Sequence, residues 1–284
     1  MKILVTGATG FIGNYVIEEL LRNNHLVIAS SASEEKAVSA SWFPKVNYIP
    51  LDLERMDNRI NYLSFFNEPD KVIHLAWEGL PNYKCSFHTE ANLPRHMAFL
   101  NNMLANGLTD LSVAGTCFEY GMQEGCLHEG METHPANAYA IAKDSLRKGL
   151  QVLAKGRKFQ FRWLRLFYMY GRGQGQNSLF SQLDKALQHG EVSFNMSGGE
   201  QVRDYLLVKT AAAYIVKASL QNKITGIINI CSGEPVTVKQ QVMNYLKERN
   251  ASIALNLGFY PYADYEAMQF WGDNRKLMSI INSA

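Results

Sequence analysis

The sequence predicts an α/β fold, a doubly wound parallel sheet with a smaller lobe toward the C-terminal end. Three observations predict it. Short apolar runs rich in branched side chains recur through the first 167 residues. Stretches of helical periodicity separate them, which is the alternation of βαβ units around a sheet buried on both faces. A glycine-rich turn joins the first run to the first helical stretch, where such sheets hold ligands.

Taken in order, the first run is Lys2–Thr6, and residues 11–22 follow with Ile12, Val16, Leu20 and Leu21 on one helical stripe. Runs at 26–29, 46–51, 71–76, 108–114 and 161–167 supply further strands, and 136–153 reads as one helix. After Tyr170 the texture changes. Residues 171–178 are polar and glycine-rich, 179–188 reads helical, and 191–204 contains Gly198-Gly199. A strand-like 226–231 and a helical 238–249 precede an aromatic tail with Phe259, Tyr260, Tyr262, Tyr265, Phe270 and Trp271, too apolar for a disordered end. No repeat, low-complexity tract or linker divides the chain.

Composition narrows the class. The chain has 284 residues, with 28 Lys plus Arg against 26 Asp plus Glu, a net charge of +2. That balance argues against nucleic acid or an anionic membrane as partner. With 47% hydrophobic and 19% charged residues the chain is globular. No apolar run reaches the ~18–20 residues that span a bilayer, and the N-terminus turns glycine-rich too soon for a signal peptide. Cys85, Cys117, Cys126 and Cys231 form no CxxC pair and fit reduced thiols better than disulfides or zinc. The expectation is a cytoplasmic protein with no metal site.

Thr6-Gly7-Ala8-Thr9-Gly10-Phe11-Ile12-Gly13 carries the strongest signal. Gly7 permits the tight turn, Gly10 lets backbone approach a pyrophosphate, and Gly13 lets the helix pack closely on the sheet. Phosphates would sit on the helix N-terminus, where open N–H groups and the dipole favour an anion. The acidic residue that holds an NAD ribose should end the second strand. That strand ends instead in Ser30-Ser31, with no carboxylate before Glu34, which leans toward NADP over NAD.

Tyr139 and Lys143 stand four apart on the 136–153 helix and share a face. A nearby cation would lower the tyrosine pKa and suit it to proton transfer at a carbonyl or carbinol oxygen. Thr116 follows the 108–114 strand, so its hydroxyl lies at a strand's C-terminal end and can reach the same oxygen. Cys117 has no basic neighbour in sequence and reads as wall, not nucleophile.

Together these residues resemble the extended short-chain dehydrogenase/reductases of the NAD-dependent epimerase/dehydratase type, which act on nucleotide-activated sugars. The resemblance covers nearly the whole chain. It rests on residues 6–13, Asp52-Leu53, His74-Leu75-Ala76 and Thr116 with Tyr139-x-x-x-Lys143. Arg165 with Tyr170-Gly171, Arg203-Asp204-Tyr205 and Asn229-Ile230-Cys231-Ser232-Gly233-Glu234-Pro235 continue it in the family's order. It implies a Rossmann-like domain over 1–167, joined by a returning segment near 205–231, and a substrate-binding lobe over 168–284.

The resemblance further implies Thr116, Tyr139 and Lys143 as the catalytic set. Gly7, Gly10, Phe11, Ile12, Gly13, Ser31, Asp52, Leu53, Leu75, Ala76, Asn92, Tyr139 and Lys143 would hold NAD or NADP. Asp52 and Leu53 would contact adenine, and Asn92 would support Lys143 through water. Trp77, Thr116, Tyr168, Asn177 and Arg203 would face the sugar nucleotide, with Arg203 on its diphosphate. Trp77 stands where a small residue is common and should narrow the pocket. Tyr168-Met169 and Lys209 also depart from the family pattern. Glu119, His128 and His134 read as structural.

Two chemistries share this triad. A reductase or dehydrogenase passes hydride between nicotinamide and a sugar carbon, usually C4; a 4-epimerase returns it to the opposite face and needs room for the ketosugar to rotate. Trp77, Tyr168 and the missing carboxylate favour C4 reduction or dehydrogenation of a 6-deoxyhexose nucleotide. The Gly115–Gly121 stretch, Gly-Thr-Cys-Phe-Glu-Tyr-Gly, also resembles deoxysugar 4-ketoreductases. A non-catalytic NAD(P)-binding regulator is a third reading, which the intact triad disfavours. A homodimer through the Tyr139 helix and its neighbour is implied by the resemblance.

Overall fold

The structure, a computed structural model, describes residues 1–283. Among them seven strands form one wholly parallel sheet: β1 (Lys2–Thr6), β2 (Leu26–Ser30), β3 (Asn47–Tyr48), β4 (Lys71–His74), β5 (Asp110–Thr116), β6 (Gln160–Leu166) and β7 (Gly226–Ile230). Their spatial order is β3-β2-β1-β4-β5-β6-β7, the doubly wound arrangement expected. The order reverses between β1 and β4, and such a switch point opens a crevice at the strand ends. Thr6 pairs with His74 there.

Burial on both faces explains why the strands read as continuous apolar runs. One face is covered by α1 (Phe11–Arg22) and Val208–Leu220, packed through Val16, Ile17, Leu20, Ala211, Ile215 and Val216. The other carries α2 (Leu93–Ala105) and α3 (Ala138–Gly156), with Phe99, Leu100, Leu146 and Leu150 on Leu111, Val113 and Trp163. Lys71 and Arg162 are buried at the opposite end of the sheet, each ion-paired with Asp110, as charges in a core must be.

The 46–51 run is a strand only at Asn47–Tyr48, at the sheet edge beside β2, although the Ile49 and Leu51 N–H groups still donate to the Ala29 and Ser31 carbonyls at 3.0 and 3.2 Å. Helix α3 begins after Asn137, whose side chain accepts the Ala140 N–H at 2.9 Å and fixes its start. Strand β5 runs on to Thr116, so the hydroxyl belongs to the strand's last residue.

A second core lies between Leu179–Gln188 and Val238–Glu248, where Phe180 and Tyr245 rings sit 4.5 Å apart among Leu183, Met196, Val242 and Leu246. Tyr168–Tyr170, Val202–Leu207 and Pro235–Thr237 form its small sheet. The chain returns to the large sheet for Val208–Leu220 and β7, and again for Arg275–Ile281, which buries Leu277 and Ile280 there. Phe270–Gly272 pairs with Gly125–Leu127, fastening the aromatic tail to the loop after β5. Among the described residues no helix is long and apolar enough to cross a membrane.

Candidate active site

The cofactor side is made largely of backbone. Gly7 ends the β1 turn at φ +71°, and a Cβ there would lie 2.7 Å from the Ala76 nitrogen and 2.8 Å from the Leu75 carbonyl carbon. A Cβ on Gly13 would lie 2.2 Å from the Gly7 oxygen, so α1 can approach the turn only through glycine. Gly10 caps α1 with no side-chain bond, and the first turn holds no acidic residue, which leaves its N–H groups open to an anion.

Above this turn lies a cavity of about 350 Å³. Gly7, Gly10, Ser31, Leu53, Leu75, Ala76 and Trp77 line it, together with Ser33, Lys36 and His96. A cradle that a Cβ would fill, beside an uncapped helix N-terminus, fits a dinucleotide's phosphates. Phe11 and Ile12 pack instead against the core under α1. Ser31 Oγ lies 3.0 Å from the Tyr48 hydroxyl. Asp52 accepts the Glu54 N–H at 2.9 Å and starts a short turn, while its neighbours Leu51 and Leu53 reach the cavity. Asn92 is buried and donates to the Glu78 carbonyl at 2.9 Å.

Thr116, Tyr139 and Lys143 are all buried at the C-terminal end of β5. Helix α3 brings the tyrosine and lysine there, and Lys143 Nζ donates to the Ala114 carbonyl at 2.9 Å while lying 4.0 Å from the Trp77 ring centre. Burial pulls the Lys143 pKa down to about 7, opposed by the Glu119 carboxylate. Burial also raises the Tyr139 pKa, Tyr83 adds to the rise, and hydrogen bonding to Thr116 opposes it. This corrects the expectation of a tyrosine tuned downward by its lysine. Nζ is bonded to strand β5 at Ala114, and desolvation is the largest cause of the rise.

Besides Thr116, the four other residues predicted on the sugar side are placed unequally. Trp77 is central. It stacks on His96 with ring centres 4.6 Å apart, meets Tyr139 edge-on at 6.0 Å, and donates from Nε1 to His88 Nδ1 at 3.1 Å. Tyr168 packs on Phe118 and Phe270, and Phe118 in turn meets Tyr139 edge-on at 6.5 Å. Arg203 is buried, with its guanidinium on the Met268 carbonyl (3.1 Å), the Glu266 carboxylate (2.9 Å) and the Phe270 ring face (4.5 Å). Asn177 lies exposed before Leu179–Gln188, and the loop's Arg172 carbonyl accepts from Tyr15 of α1.

Sequence reasoning missed several neighbours. Thr6 Oγ1 lies 2.8 Å from His74 Nδ1, and His74 Nε2 lies 2.7 Å from His96 Nδ1, a buried polar chain from the glycine turn toward Trp77. Burial pushes the His74 pKa down to about 3. Tyr83 covers Tyr139, with rings 5.6 Å apart. Thr6 lies in the glycine-turn motif and His74 in the His74-Leu75-Ala76 motif, which do not show that the two are bonded; His96 and Tyr83 carry no motif. Glu119 did have a local signal, because Thr116-x-x-Glu119 is the spacing of a capping box. Cys117 is buried and its thiol pKa raised, as a wall requires. Among the described residues no cluster of His, Cys, Asp or Glu could hold a metal.

Comparison with known proteins settles the class. The model of the NAD dependent epimerase/dehydratase family matches residues 3–231. The chain belongs to that family. It is an enzyme of the nucleotide-sugar 4-dehydrogenase and epimerase type. A dTDP-6-deoxy-L-talose 4-dehydrogenase (NAD(+)) of Aggregatibacter actinomycetemcomitans is 30% identical over 96% of this chain and 99% of its own length. A GDP-6-deoxy-D-talose 4-dehydrogenase of the same organism is 26% identical over 100% and 92%. The fold is that of a Bacillus cereus UDP-glucuronic acid 4-epimerase solved with UDP-glucuronic acid and NAD, at TM-score 0.85 and 24% identity, over 100% of this chain and 94% of the other.

Proposed function

We propose that the protein is a nucleotide-sugar oxidoreductase that reduces the C4 ketone of a 6-deoxyhexose nucleotide, or oxidises the C4 alcohol in reverse. The observation that carries this reading is the burial of Thr116, Tyr139 and Lys143 together beside the cavity over the glycine turn. A bound nicotinamide supplies the hydride acceptor or donor. Tyr139 Oη gives a proton to the C4 oxygen during reduction and takes one during oxidation. Thr116 Oγ1 hydrogen-bonds the same oxygen. Lys143 places a positive charge next to the phenol and a donor toward the nicotinamide ribose.

Trp77 supports net transfer over epimerisation. Its ring is held by His88, His96 and Lys143, so the wall beside Tyr139 is bulky and fixed where a rotating ketosugar needs room. The two talose-nucleotide 4-dehydrogenases point the same way. Arg203 is the proposed partner of the diphosphate, which would take the place of Glu266 on the guanidinium.

The cofactor reading favours NADP. Ser30, Ser31, Ser33 and Lys36 line the cavity after β2, a set with a cation and no carboxylate to repel a 2′-phosphate. A kcat/KM ratio favouring NAD overturns that preference. The free cysteines support a cytoplasmic setting. Exposed Ile141 and Val152 on α3, at 43% and 66% exposure, support a homodimer through that helix.

The test of the main reading is incubation of a 4-keto-6-deoxyhexose nucleotide with reduced cofactor. Stoichiometric cofactor oxidation is expected. Interconversion of C4 epimers without net oxidation overturns it in favour of an epimerase, and cofactor binding without turnover of any nucleotide sugar favours a regulator.

A further inference from the structure

Glu119 is fully buried just past the end of β5 and is not part of the cofactor cavity's lining. Its Oε1 accepts the Thr116 backbone N–H at 2.9 Å, and Trp163 Nε1 donates to both carboxylate oxygens at 2.8 and 3.0 Å. Oε2 accepts from Arg165 Nε at 2.8 Å and lies 3.5 Å from Arg147 Nε. Thr116 Oγ1 accepts the Phe118 N–H at 3.3 Å, which closes the turn. Gly115 makes room for this, because a Cβ there would lie 2.1 Å from Trp163 Nε1 and 2.7 Å from Glu119 Oε1.

One carboxylate therefore spans three elements. It holds the end of β5 through Thr116, it meets β6 through Trp163 and Arg165, and it reaches α3 through Arg147, one turn beyond Lys143. Packing alone does not account for it, since a buried ion pair gives little net stability over an apolar side chain of similar volume. An apolar side chain could fill the space but could not tie the Thr116 amide to α3.

We propose that Glu119 is a positioning residue for proton transfer. It sets the Thr116 hydroxyl against Tyr139 by holding the end of β5 to α3. The proposal rests on the reading of Thr116 and Tyr139 as catalytic residues, so its test needs a readout that turnover does not control.

Two variants of the full chain, Glu119→Ala and Glu119→Gln, supply it. Amide hydrogen exchange at Thr116 reports the strand bond, and kcat, KM and cofactor Kd report the site. In Glu119→Ala, Thr116 loses protection and kcat falls on the order of 10²-fold, while cofactor Kd stays within about two-fold. The glutamine carbonyl keeps the Thr116 bond, but its NH2 faces the Arg165 and Arg147 donors. Glu119→Gln therefore retains Thr116 protection and recovers part, not all, of the lost kcat.

Unchanged Thr116 exchange in Glu119→Ala overturns the proposal. So does a loss of kcat that only follows loss of folded protein and of cofactor binding. If Glu119→Ala does not fold, Glu119→Gln decides: a lower kcat at unchanged KM supports the positioning role, and an unchanged kcat refutes it. If the unmodified protein turns over no nucleotide sugar, the functional reading fails while the Thr116 exchange still judges Glu119.

Discussion

Beside the glycine turn, the atoms closest to Gly7 belong to the backbone of Leu75 and Ala76. Beside Tyr139 the walls are the side chains of Trp77, Tyr83, His88 and Phe118, with Tyr168, Arg203 and Glu266 further out. The difference teaches how each half can change. A backbone cradle admits only glycine at fixed spacing and suits a cofactor of invariant shape. A wall of side chains drawn from separate segments can be refitted residue by residue, which suits a substrate that varies between relatives.

The comparison can be broken most forcefully at the chemistry. Tyr139→Phe removes one hydroxyl from the side-chain half, and kcat should fall by ~10²–10⁴-fold with cofactor affinity kept. Parallel loss of cofactor binding would mean that the two halves are not separable. Gly7→Val attacks the backbone half. Its side chain meets Ala76 and Leu75 backbone at a left-handed φ, so calorimetry should show cofactor binding lost. Retained affinity would show that the turn is not the phosphate cradle.

Arg203→Ala probes the outer wall. Loss of a charge-assisted contact should raise the nucleotide-sugar KM by roughly 10-fold and leave the cofactor KM unchanged. Equal effects on both would mean that Arg203 serves the lobe's packing against Glu266 and Met268 and not the diphosphate.

The smallest effect concerns stability. His74 is held neutral, with its pKa pushed from 6.5 to about 3. Between those values the unfolded chain binds a proton that the folded chain does not. Stability is therefore full above pH 6.5 and falls as the pH drops, by at most about 1.4 kcal/mol per pH unit for one such histidine. Urea unfolding across this range should show the slope, and His74→Gln should make it shallower, with buried His96, whose pKa burial also lowers, supplying the remainder. An unchanged slope would assign acid sensitivity elsewhere.

Legibility in the sequence follows the same division. Residues 6–13 announced the turn because steric need fixes glycine at fixed positions, and the buried strands announced themselves as apolar runs. The 46–51 run narrows to a two-residue strand at the sheet edge, yet its backbone still bonds alongside β2 as far as Leu51. Arg203 could be aligned by motif order, but its partner Glu266 lies 63 residues away and no local pattern announces it. Glu119 was visible as one half of a capping box, yet its ties to Trp163, 44 residues on, and Arg165, 46 on, exist only once β5 and β6 are neighbours. The Tyr139–Lys143 spacing placed both groups on one face correctly. It could not show that Nζ turns to Ala114 or that burial outweighs the cation.

The most direct measurement follows the hydride itself. Reduced cofactor carrying deuterium at its transferable position is mixed with a 4-keto-6-deoxyhexose nucleotide, and the product sugar is examined by mass spectrometry and NMR. Deuterium at C4 of the sugar, in proportion to cofactor oxidised, is the predicted result. Product formed with the label still on the cofactor, or epimers exchanged without net oxidation, would contradict it.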